Sequence, residues 1–171
     1  MQPNPPQPGF PQYGQQPGWP GQVAPAKPRA NAVASVIAGI LALLAAAMLV
    51  WFALYNVFVA AEANGHWSGI TMQNLVSGTI AAVVLVVAAG FTFARRIPGV
   101  WTLFGFCVFY VVAVFVGMPL VWGTPLSAQV KWLFSFDDGD STAMALMIVF
   151  SVLAAVAAAI AAGVKSPGKQ I

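Results

Sequence analysis

The side chains able to carry chemistry are few in this chain: one histidine, one cysteine, four acids and seven bases. The acids are Glu62, Asp137, Asp138 and Asp140, the histidine is His66, and the cysteine is Cys107. This set assembles no Ser-His-Asp triad, no Gly-rich phosphate loop and no His/Glu metal motif, so no catalytic residue is assigned and the chain is expected not to be an enzyme. A lone histidine excludes bis-histidine haem ligation, and His66 is expected as a solvent-facing interfacial residue. Cys107 has no second cysteine with which to form an intrachain disulfide or a CxxC pair. The run Asp137-Asp138-Gly139-Asp140-Ser141 clusters oxygens, yet it lacks the ligand spacing and distal Glu of an EF-hand. It reads as a solvated acidic turn, with Asp140-Ser141 as candidates to cap a following helix. Neither a cofactor nor a metal is expected.

A second polar set is Asn56, Gln73 and Asn74, which fall near the same ends of adjacent apolar stretches. Asn56 is within reach of a hydrogen bond to the amide of Gln73 or Asn74 across a helix pair, worth about 0.5 to 2 kcal/mol in a membrane. The two readings are interhelical glue and a shallow polar pocket open to one side of the bilayer.

The elements that must position these residues are dictated by composition. Hydrophobic residues make up 60% of the chain and charged ones 6%, against roughly a half and a quarter in soluble domains. Four long uncharged stretches are expected to span a membrane, at about 32–60, 70–94, 100–122 and 142–164. No Asp, Glu, Lys or Arg lies inside them as so drawn, which argues against proton- or ion-coupled transport. Charge alternates between the stretches. Lys27 and Arg29, Arg95 and Arg96, and Lys165 and Lys169 fall on one side, while Glu62 and the Asp137 to Asp140 cluster, together with Lys131, fall on the other. Since Lys/Arg-rich short loops stay in the cytoplasm, the expected topology is a multi-pass cell membrane protein with both termini cytoplasmic. Basic residues placed as pairs beside apolar runs fit headgroup anchoring, and nucleic acid binding is not expected.

Residues 1–30, rich in Pro, Gln and Gly, have too few aliphatic side chains to offset ordering entropy and are expected to form a disordered cytoplasmic tail. Its exposed aromatics, Phe10, Tyr13 and Trp19, are candidate contact points for a cytoplasmic partner. Residues 31–171 then form the second domain, an all-α integral membrane four-helix bundle. Between its first spans, Gly65 and Gly69 are available for positive φ. At the inner loop, Pro98 is expected to bias Ile97 away from helix, and Pro119 and Pro125 to bracket the outer end of the third span. The segment Val130 to Phe136 is expected to lie in the headgroup layer. Small residues repeat at four-residue spacing: Ala34, Ala38, Ala42 and Ala46 on the first span, Gly78 and Ala82 on the second, and Ala154, Ala158 and Ala162 beside Ala155, Ala159 and Gly163 on the fourth. Such Ala/Gly faces admit close backbone approach, within the bundle or toward other membrane proteins or another copy.

A Pro/Gln/Gly-rich tail before four Ala/Val-rich spans resembles the small multi-pass envelope proteins of actinobacteria. The likeness is one of layout and composition across the whole chain, and no functional residue is transferred from it. The expected function is that of a non-enzymatic accessory or scaffold subunit, which packs with other membrane proteins and tethers a cytoplasmic partner through its tail. The alternative is a small uncoupled transporter or lipid-handling protein using Asn56, Gln73 and Asn74.

Overall fold

A computed structural model describes residues 28–63, 65 and 67–164. Phe10, Tyr13, Trp19, Lys27, His66, Lys165 and Lys169 lie outside the described residues. Six α-helices and one π-helical turn follow in order, with no strand among the described residues. They are α1 (Ala32–Glu62), α2 (Gly69–Phe93), α3 (Ile97–Val112), the π turn Ala113–Gly117, α4 (Met118–Trp122), α5 (Leu126–Leu133) and α6 (Gly139–Gly163). With α3, the π turn and α4 forming one rod, four helical units are long and apolar enough to cross a membrane. At about 1.5 Å per residue, the 31 residues of α1 exceed an apolar layer of about 30 Å.

Helix α1 is the hub, packing most extensively against α6 and α2, while α3 packs on α6 and more lightly on α2. Its buried side is mostly small, including Ala38, Gly39, Ala42, Ala45 and Ala46. A Cβ on Gly39 would sit 2.5 Å from a ring carbon of Phe93, and one on Gly78 would sit 3.4 Å from the Leu49 carbonyl oxygen. The Phe93 ring thus seats directly on Gly39, and at Gly78 the backbones of α1 and α2 come close, where dispersion replaces the hydrophobic drive that lipid removes. On α6, Ala154, Ala158 and Ala162 are likewise buried, as is Ala155, whereas Gly163 at the helix end is exposed.

Element boundaries differ from the sequence expectation in three places. Ile97 is the first residue of α3 with Pro98 in its first turn, where the absent N–H has no intrahelical acceptor to lose. Gly65 takes positive φ, but Gly69 opens α2 behind the cap Ser68, whose hydroxyl accepts from the Thr71 amide at 3.1 Å. Asp138, not Asp140, caps α6, and Asp140 thereby falls within the apolar helix that was drawn without it. Farther along the third span, the π turn precedes Pro119. Proline's ring crowds the carbonyl four residues back, and widening the preceding turn relieves that clash.

The two ends of the bundle are chemically distinct. Arg95 follows α2 in the left-handed region (φ 55) and donates from Nε and Nη2 to the Ala30 carbonyl at 3.0 and 2.9 Å. Ala30 N–H donates back to the Arg95 carbonyl, and Asn31 N–H donates to the Ala161 carbonyl at 3.0 Å near the end of α6. This basic end therefore fastens the entry to α1 to two elements, the corner after α2 and the end of α6, and it satisfies one of the carbonyls that a helix terminus leaves unpaired. Replacing Arg95 with Ala is expected to lower stability by about 1 to 2 kcal/mol, because a charged donor to a buried carbonyl is lost. Thermal unfolding in mild detergent measures the loss, and Arg95→Lys, with no fork, is expected to recover only part of it.

Candidate functional site

At the opposite, acidic end, polar side chains from three helices meet. Asn56 of α1 is buried among apolar neighbours, so each of its amide hydrogens needs an acceptor. One goes to the Phe52 carbonyl at 2.9 Å, a turn earlier in the same helix, and the other to Asp140 Oδ1 of α6 at 3.1 Å. Asn56 Oδ1 in turn accepts from Asn74 Nδ2 of α2 at 3.1 Å. This pattern sets the orientation of the Asn56 amide, since a flipped group would face the Phe52 carbonyl and the carboxylate with its own oxygen.

The turn that delivers Asp140 is built by Asp138. Its carboxylate accepts from the Ser141 amide at 2.7 Å, and the Asp138 N–H reaches the Ser141 hydroxyl at 3.4 Å, a reciprocal capping box. Those bonds, the Ser141 backbone amide first and its side chain second, hold the Asp138 carboxyl below the ordinary value of 3.8. Gly139, which follows the cap, lies against Tyr55, and a Cβ there would come within 2.8 Å of the ring. Asp140 is thus carried inward beside α1, while the Asp137 and Asp138 side chains stay exposed.

Beside this polar line is a cavity of about 270 Å³, lined by Phe52, Ile70, Gln73, Asn74, Gln129, Trp132, Asp140 and Met144. Its roof is α5, which folds back against α6 and the π turn. The segment expected to lie in the headgroup layer is entered by a helix starting at Leu126 and anchored to the bundle by the fully buried Leu133. Val130, Phe134 and Phe136 remain on its exposed side. Of the residues singled out from sequence, Asn56 and Asn74 are directly bonded and Gln73 lines the cavity. Asp140, Gln129 and Trp132 escaped that reading. Asp140 had been assigned to a solvated cap, and nothing in one sequence reveals that α5 turns back over the bundle.

A second concavity, of about 420 Å³, lies along the membrane-spanning part between α3 and α6. Its walls include Cys107, Val111, Ser151, Ala155 and Ala159. Cys107 is a free buried thiol, and Ser151 Oγ is satisfied within α6 by Met147 Sδ at 3.4 Å, so the groove presents an apolar surface. Among the described residues, no group of three or more His, Cys, Asp or Glu side chains is arranged to hold a metal ion. No family model matches the chain, and no curated protein and no solved structure matches it.

Asn56→Leu removes both interhelical bonds together, and it is expected to cost about 1 to 2 kcal/mol, measured by thermal unfolding in detergent against Asn74→Leu, which removes one. Asp138→Ala is expected to cost about 1 kcal/mol at neutral pH through the lost cap. Because the folded-state carboxyl is held below 3.8, the cap's contribution is complete above that value and disappears as the pH falls through the lowered one. Wild type and Asp138→Ala should therefore converge in stability in acid, and a difference that persists there would contradict the assignment.

Proposed function

We propose that this protein is a non-enzymatic accessory or scaffold subunit of the cell membrane. It packs against a helix of another membrane protein and tethers a cytoplasmic partner through residues 1–30. One observation supports the packing role above all. The third span has only 12% of its most apolar window buried within the chain, against 39%, 39% and 56% for the other spans. A helix so little covered by its own bundle has most of its surface free for lateral contact. The adjoining groove has Ala155 and Ala159 in its wall, small residues one turn apart that favour close approach of a backbone.

The orientation we infer places both termini in the cytoplasm. In support, Arg95 and Arg96 sit at the same end as the entry to α1, and the Asp137 to Asp140 turn sits at the other.

In-membrane crosslinking followed by gentle extraction and sizing tests the role. The wild-type chain is expected in a complex larger than itself, and Ala159→Phe, which fills the groove, is expected to reduce that complex about tenfold or more while leaving the melting temperature nearly unchanged. In the same preparation, cysteine labelling of Arg96→Cys and Asp137→Cys in a Cys107→Ser background should occur from opposite faces. A lone wild-type monomer, combined with no effect of deleting residues 1–30 in the native host, would overturn the reading.

A further inference from the structure

The cavity at the acidic end holds a carboxylate whose hydrogen-bonding capacity is only partly used. Asp140 Oδ1 accepts from Asn56, and among the described residues no other side chain donates to this carboxylate. Asn56 has no amide hydrogen left to give it, since its two are committed to Phe52 and Asp140. The described arginines are at the far end of the bundle: Arg95 is tied to Ala30, with Arg96 next to it, and Arg29 precedes Ala30. Lys131 of α5 is exposed. Asp140 is half-buried, and a carboxylate partly withdrawn from water without a cation gains when a partner of opposite charge enters.

The remaining lining states what kind of cation. Gln73, Asn74 and Gln129 line the cavity, and a side-chain amide carries an oxygen that accepts from N–H donors. Phe52 and Trp132 add aromatic faces, which attract a positive group by their quadrupoles. A volume of about 270 Å³ is a little below the range of about 300 to 1,000 Å³ for drug-sized ligands, so it fits a small head rather than a large molecule. We propose that this cavity is a binding site for a primary ammonium group, with Asp140 as its charge partner, the amides of Gln73, Asn74 and Gln129 as hydrogen-bond acceptors and Trp132 as an aromatic wall. Methylated ammonium would leave the amide oxygens unpaired, whereas a primary ammonium presents three donors to them. The source is a free small amine or the amine of an aminophospholipid headgroup. This site is separate from the groove between α3 and α6, and it does not depend on the docking role.

Thermal unfolding of the full-length chain in lipid nanodiscs tests the assignment with ethanolamine and tetramethylammonium as probes. Ethanolamine added to phosphatidylcholine discs is expected to raise the melting temperature if the free amine binds. Discs containing phosphatidylethanolamine are expected to raise it without additive if the headgroup binds, and either result supports the site. Asp140→Asn keeps an acceptor for Asn56 and is expected to weaken binding about 30-fold or more. Gln73→Leu, at an exposed position of the rim, is expected to weaken it less and covers the case in which the Asp140 variant fails to fold. Absence of stabilisation in both kinds of disc overturns the proposal. So does equal stabilisation of wild type and Asp140→Asn, or of wild type and Gln73→Leu should the first variant not fold, and so does tetramethylammonium acting as strongly as ethanolamine.

Discussion

Helices in an apolar medium hold together only where their atoms come close, since lipid solvates a leucine as well as another helix does. On α1 that closeness comes from Ala38, Gly39, Ala42, Ala45 and Ala46, whose small volumes let both α2 and α6 lie against one helix. The larger Leu49 and Phe52 follow toward the acidic end, with Gly78 of α2 receiving them. Asn56 depends on this approach. An asparagine side chain is short, and it bonds to Asn74 on one neighbour and Asp140 on the other only because both helices are already drawn to α1.

The bundle is closed differently at its two ends, and each closure uses the groups its helices leave unsatisfied. The basic end employs backbone: Ala30 and Asn31 exchange hydrogen bonds with the corner after α2 and with the last turns of α6. Arg95 reinforces this from a left-handed backbone conformation, a strain that its bidentate contact with Ala30 offsets. The acidic end employs side chains and adds a covering helix, α5, whose Leu133 is buried beneath it. Among those side chains the acidic end keeps a cavity of about 270 Å³.

Asymmetry also runs around the bundle. Helix α6 is the most enclosed span and the third is the least, with its half nearer the acidic end broken by the π turn before Pro119. The exposed Val108, Val112 and Val116 make an apolar surface along the third span, beside the groove whose α6 wall includes Ala155 and Ala159. The lateral surface and the end cavity share α6 and are otherwise built from different residues.

Much of this was written locally in the chain. Four apolar stretches separated by charged or Pro/Gly turns determine four helices long and apolar enough to cross a membrane, because in hydrocarbon a helix satisfies its own backbone. Alanine at four-residue spacing marked the faces that pack, and Asn56, Gln73 and Asn74 stood out as amides at neighbouring helix ends. Local signals misjudged where the helices begin: Pro98 was accommodated in a first turn, and the cap moved from Asp140 to Asp138. Only the tertiary structure decided that Asp140 turns in toward Asn56, that Gln129 and Trp132 close over it, and that Arg95 clasps Ala30. Those contacts join residues up to 84 positions apart, and their existence depends on how closely separate helices approach, a quantity that no single stretch of chain contains.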